Sequence, residues 1–174
     1  MRIRTGTSNV KSRTSRVERQ ESSVESRTSK RRVNTDYEIV INAPLKDVYQ
    51  TLINVDKRPE WLAGVDSINR EMTSERVSMR HNCVFMGMVL INTAVYADFG
   101  DDHAIYSEQV EMPDVNLSIV LRYDLYPQDD GGTRLNFSVN WMGAALPSEN
   151  KQDMMEAQAV NLELLKGVCE NNPA

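Results

Sequence analysis

From residue 66 to residue 142 the sequence alternates apolar and polar side chains with period two, interrupted only by short turn-like separators. It then closes with a single long pattern of helical period. Period-two alternation puts successive side chains on opposite faces of a sheet, so this stretch reads as strands. The spacing predicts strands over Asp66–Met72, Val77–Met86, Val89–Phe99, Ala104–Met112, Val115–Tyr126 and Thr133–Met142. The separators are Thr73-Ser74-Glu75, Gly87, Gly100-Asp101-Asp102, Pro113-Asp114 and Gln128-Asp129-Asp130-Gly131-Gly132, residues that favour tight turns. Connections this short make consecutive strands antiparallel neighbours, and the result is a meander.

Ahead of the meander, residues 37–42 alternate around Ile39 and Ile41 and predict one more strand, stopped by Ala43-Pro44. Pro44 suits a first helical position, and Val48, Leu52 and Val55 follow at helical spacing. A second short helix is predicted over Lys57–Ala63, with Pro59 in its first turn and Gly64 ending it. After the meander, Pro147-Ser148 opens the final helix with Ser148 as its N-cap, and Met155, Gln158, Leu162, Leu165 and Cys169 share one face. The expected fold is therefore α+β: a curved antiparallel sheet of about seven strands wrapped around a long C-terminal helix, with two short helices after the first strand.

Charge divides the chain. Residues 1–36 hold ten Lys/Arg against four acids, whereas the remainder holds ten against twenty-one. The first 34 residues are rich in Ser, Thr and Arg, and their apolar residues are too sparse to offset the entropy lost on ordering. They read as a basic, disordered arm, with residues 35–174 forming one domain. Without aromatic side chains, and with acids interrupting the basic run, the arm reads as a solvated tail in preference to a contact for nucleic acid or an anionic surface. The two cysteines, Cys83 and Cys169, form no C-x-x-C pair, which suits a reducing, cytoplasmic setting. No apolar run reaches the roughly 18–20 residues of a membrane span.

The opening Ile41-Asn42-Ala43-Pro44, followed by Val48, Leu52 and Trp61, resembles the start of the START-like superfamily, with its helix-grip fold. Gly131-Gly132-Thr133-Arg134-Leu135 is similar to the turn its members use before their last strand. Within it the likeness is to the polyketide cyclase/dehydrase and lipid-transport branch. The sequence departs from many relatives at Arg76-Val77-Ser78-Met79-Arg80, where they carry glycines. The resemblance implies a hydrophobic small-molecule ligand, such as a lipid, polyketide or aromatic metabolite.

Alternation sorts side chains toward the space under the helix. One predicted inner face is Met79, His81, Cys83 and Phe85; another is Leu117, Ile119, Leu121, Tyr123 and Leu125; a third is Leu135, Phe137, Val139 and Trp141. Strict period two through the strand after Gly87 places Val89, Ile91, Thr93, Val95, Ala97 and Phe99 inward. Neither face of the strand around Tyr106 is clearly apolar. The expected ligand-binding residues are Met79, His81, Cys83, Phe85, Thr93, Val95, Ile119, Leu121, Tyr123, Phe137, Val139, Trp141, Gln158, Leu162 and Leu165. Small and polar groups among them hint at a cavity, since ligand pockets are mostly apolar with a few placed polar groups.

No nucleophile elbow, phosphate loop or dinucleotide fingerprint occurs, and two histidines do not make a His-rich metal site. Neither metal nor cofactor is expected. Acid–base candidates are His81, Glu108 and Tyr123, with Glu108 able to pair with His81 if its strand turns that side inward. The leading expectation is a non-catalytic binding or carrier domain for an apolar small molecule. The alternatives are a cyclase/dehydratase-type enzyme and a protein-interaction module of the chaperone-cofactor kind.

Overall fold

The computed structural model describes residues 36–70, 80–85, 88–143 and 147–171. The basic arm, Met79 and the bend between the second and third strands lie outside the described residues, as does the side chain of Phe85. The chain runs β1 (Tyr37–Ile41), α1 (Leu45–Ile53), a 3₁₀ turn (Val55–Lys57) and α2 (Arg58–Trp61). There follow β2 (Val65–Arg70), β3 (Arg80–Phe85), β4 (Met88–Phe99), β5 (Ala104–Met112), a 3₁₀ turn at Pro113–Val115, β6 (Leu117–Pro127), β7 (Thr133–Gly143) and α3 (Ser148–Asn171).

All seven strands form one antiparallel sheet in the order β1-β7-β6-β5-β4-β3-β2. Six of them follow the meander that the short separators dictate. The first strand returns to the far edge, where Ile39 pairs with Leu135 and Ile41 with Thr133. Turn chemistry explains the last hairpin. Gly131 takes the left-handed φ of 87° that a side chain resists, and the Asp130 carboxylate accepts the Gly132 N–H at 3.0 Å. A Cβ on Gly132 would lie 3.0 Å from the Ile41 carbonyl, so a side chain here would crowd the close approach of β1. Thr133 Oγ1 then donates to the Ala43 carbonyl at 2.8 Å, pinning the β1–α1 connection to the start of β7.

Helix α3 crosses beneath the sheet and covers the open edge of β1. Lys166 Nζ donates to the Val40 carbonyl at 2.6 Å, and Glu170 accepts the Asn42 N–H at 2.7 Å. An edge strand with unpaired backbone groups invites further pairing, and these two side chains occupy that edge. The Pro147 carbonyl accepts the first intrahelical bond, from Lys151 N at 3.2 Å, so Pro147 holds the N-cap position and Ser148 is the first helical residue, not the N-cap that the sequence suggested.

The main apolar core lies between α1, the C-terminal half of α3 and the strands β1, β6 and β7. Ile41, Val48, Leu52, Leu125, Leu135, Phe137 and Leu165 are all fully buried there, with Leu162 and Cys169 beside them.

One predicted face is inverted. In β4 the inward residues before residue 95 are Leu90, Asn92 and Ala94, paired with Cys83, His81 and Glu108. Val89, Ile91 and Thr93 point the other way, and Val89 is 44% exposed. The ladder shifts by one residue between Ala94 and Tyr96, leaving Val95 in a bulge and 49% exposed. Beyond the bulge the phase flips, and Ala97 and Phe99 sit opposite Tyr106 and Ala104, as period two proposed. An extra residue reverses every side chain on one side of it. The facing of β5 is also settled: Ala104, Tyr106, Glu108, Val110 and Met112 are buried on the inner side.

Candidate functional site

Where the N-terminal half of α3 passes over β3–β6, the inner space is not filled. A cavity of about 160 Å³ remains, walled mainly by Leu90, Val110, Met112, Ile119, Leu121 and Tyr123 from the sheet. Trp61, Leu62, Ala63 and Val65 close one side, Met88 another, and Met154, Ala157, Gln158 and Asn161 form the roof. Ala63 and Ala157 are solvent-exposed and mark its mouth. Asn161 ties the roof to that side by accepting the Ala63 N–H at 3.0 Å.

Two charged side chains line this otherwise apolar space. Arg58 Nη1 donates to Glu108 Oε2 at 2.7 Å, and Arg58 Nη2 donates to the Tyr106 hydroxyl at 3.1 Å. Both charges are 2% exposed at the side chain. Charges this deep are retained only when paired, because their desolvation costs several kcal/mol each. The pairing is supplied by topology. Helix α2 begins with Arg58, whose stem lies over Trp61 with the guanidinium 5.7 Å from the ring centre, and β5 presents Glu108 from the opposite wall. On the other side of the carboxylate, His81 Nε2 stands 3.7 Å from Glu108 Oε1, and His81 is wholly buried.

The electrostatics follow from burial and this pair. Burial works against the charged form of Arg58, but the adjacent Glu108 carboxylate outweighs it and holds the guanidinium above its ordinary range. Burial pushes the Cys83 thiol up to about 11, with Arg58 opposing and Glu108 reinforcing the rise. The Tyr106 and Tyr123 phenols are also raised, first by burial and next by the Glu108 charge. At neutral pH the wall therefore presents one ion pair, the neutral Tyr123 phenol and a neutral thiol, with the neutral Tyr106 phenol behind it.

Of the side chains proposed from sequence, Cys83, Ile119, Leu121, Tyr123 and Gln158 line the cavity. His81 stands behind Glu108. Phe137, Leu162 and Leu165 are buried in the packed core, and Val139 and Trp141 are half-buried against it. Thr93 and Val95 do not reach the interior, for the reason given by the bulge. Glu108 faces inward beside His81, as the pairing required. Arg58 was missed, together with Trp61 as a lining residue and the Leu90, Asn92 and Ala157 positions. The available signal was indirect: a carboxylate on an inner face demands a cation, and a charge next to Pro59 in a short helix gives no hint of burial.

Among the described residues no three His, Cys, Asp or Glu side chains gather into a metal-binding group, and no helix is long and apolar enough to cross a membrane.

No family model and no curated protein matches the chain. Solved structures do. Ara h 8.0201 is similar at 16% identity, with 78% of this chain and 96% of that one covered and a TM-score of 0.61. A START superfamily protein from Mycobacterium smegmatis is similar at 12% identity, covering 78% and 95% with a TM-score of 0.59. The Aha1 dimer from Colwellia psychrerythraea is similar at 16% identity, covering 77% and 93% with a TM-score of 0.56. The chain has the START-like helix-grip fold.

Proposed function

We propose that this domain binds or carries an apolar small molecule in the cavity beneath the N-terminal half of α3. The carrying observation is the cavity itself: about 160 Å³ of unfilled space, largely apolar, with a few polar groups held in fixed positions. A well-packed interior leaves few voids larger than a water molecule, so space of this size is unusual in a purely structural core. The fold supports the reading only in general terms, since one fold carries many functions and sites decide among them. The volume is close to that of engineered apolar cavities of about 150 Å³ that take up benzene, so the present shape suits a body of about one ring.

An acid–base reading has one observation in its favour, the approach of His81 to Glu108 at 3.7 Å. Against it, Glu108 is already engaged by Arg58 at 2.7 Å, and the Cys83 thiol, at about 11, is a poor nucleophile. Binding without chemistry accounts for the pair more simply, as a fixed polar contact in an apolar wall.

Filling the cavity tests the proposal. Ala157→Phe places a ring in the roof at the mouth. Displacement of a fluorescent apolar probe should fall at least tenfold in this variant, while thermal stability is kept or raised. Undiminished probe binding in a folded Ala157→Phe protein would place the ligand elsewhere.

A further inference from the structure

We infer that the first half of the free edge of β1, with the groove beside it, docks an extended peptide in which apolar and basic residues alternate. This site shares no lining residue with the cavity and stands independently of it. As an edge strand, β1 pairs with β7 on one side only. Asp36 N donates to Phe137 O at 2.8 Å and Val139 N to Asp36 Oδ2 at 2.7 Å, so odd-numbered residues of β7 turn their backbone groups toward β1. Hydrogen-bonded and non-bonded pairs alternate along an antiparallel ladder. In the register Tyr37↔Phe137 and Ile39↔Leu135, Glu38 and Val40 therefore direct N–H and C=O away from β7.

Helix α3 covers only part of that edge. Lys166 reaches Val40 and Glu170 reaches Asn42, so four helical residues keep step with two of the strand, each an advance of about 6–7 Å. One step back, the same register brings Leu162 opposite Glu38, and leucine has no polar atom to offer. Among the described residues no side chain of α3 takes up the Glu38 N–H or C=O. Beside this opening lies a groove of about 440 Å³, with Tyr37 and Ile39 on the strand side and Val160 and Leu164 on the helix side. Val160 is 54% and Leu164 41% exposed. The charges lining the groove are Glu38 and Glu163, both exposed and neither in an ion pair among the described residues. Lys166, three residues on from Glu163, is engaged by the Val40 carbonyl and Glu170.

An open strand edge offers backbone pairing, an apolar wall takes alternate side chains, and the carboxylates favour positive charge. Successive side chains of a strand laid against β1 point to opposite faces. One set then meets Val160 and Leu164 on the helix side of the sheet, and the other lies beside Glu38 on the outer side. Alternating apolar and basic residues fit both.

The test titrates the full chain with a fluorescein-labelled heptapeptide of alternating lysine and valine, read by anisotropy. A counterpart of alternating glutamate and valine should bind at least about tenfold more weakly, and the gap should narrow as salt is raised to about 0.5 M. Two further arms separate docking here from diffuse attraction to an acidic surface. Methylating the backbone nitrogens of the central lysine–valine residues should weaken binding at least about fivefold, the loss of one net hydrogen bond. Leu164→Asp, at an exposed position, should weaken it comparably, although the added negative charge would by itself attract the basic peptide. Glu38→Lys combined with Glu163→Lys should reverse the preference between the two peptides. Equal binding of both peptides to the parent overturns the inference, and so does undiminished binding of the methylated peptide or to Leu164→Asp. Sedimentation of the parent alone tests a second copy as occupant: a concentration-dependent dimer that Leu164→Asp abolishes overturns the peptide partner.

Discussion

The two halves of α3 cover the same sheet with opposite results. Toward its C-terminus, Leu162, Leu165 and Cys169 meet Ile41, Leu52, Leu125, Leu135 and Phe137, and the space closes with these side chains almost wholly buried. Toward its N-terminus, Met154, Ala157 and Gln158 face Cys83, Leu90 and Leu121, and space is left over. The side chains that meet at the two ends differ in volume and polarity. Opposed branched and aromatic residues fill one end. At the other, an alanine, a thiol and an ion pair hold the walls apart. One end of the helix is packed against the sheet and the other leaves the space in which a ligand is proposed to sit.

The sharpest way to break that comparison is to remove one partner of the ion pair. Arg58→Met alone should destabilise the domain by about 3–5 kcal/mol in urea unfolding, because Glu108 is then buried without its cation. The Arg58→Met/Glu108→Leu pair should recover most of that loss. Equal damage in the single and double variants would mean that the pair stabilises the fold instead of serving the cavity.

Truncation should separate the two ends next. Leu165→Ala, at a fully buried position, is expected to cost about 2–5 kcal/mol. Leu90→Ala borders space that already exists and removes fewer contacts, so its cost should be smaller, about 1–2 kcal/mol. Equal costs measured side by side would show that the cavity collapses around its walls and is not held open.

The last comparison is a pH dependence, confined to alkaline solution. The Cys83 thiol is raised in the folded state from 9.0 to about 11, so between these values the unfolded chain gives up the proton first. The folded state then binds more protons, and stability falls as pH rises through that window. Cys83→Ala should flatten the decline relative to the parent in parallel melts. An unchanged slope would mean that the thiol is not sheltered.

Much of the architecture was legible in the sequence. The β5 boundaries, Ala104–Met112, match the period-two stretch read between its two turns, and the Met155–Cys169 stripe faces the sheet. These features are local: alternation, turn residues and helical spacing act within a few positions, and the chain has little choice about them. Reading failed where the local code was deliberately broken. β5 looked two-faced because it buries Tyr106 and Glu108 on one side while Ile105 faces the other. β4 was misread because period two assumes an unbroken ladder, and nothing in Ala94-Val95-Tyr96 announces a bulge.

By itself the sequence determined that six strands would meander, that a seventh would precede two short helices, and that an apolar helix face would need a sheet to cover. Only the tertiary structure decided which residues make a site. Arg58 and Glu108 lie fifty positions apart, and their hydrogen bond exists because α2 packs across the end of the sheet. The phase of β4 depends on register against β3 and β5, which no single strand encodes. The cavity is the least local property of all. It is the volume left when side chains from separate elements do not meet, and an absence shared between elements has no residue to carry it in the sequence.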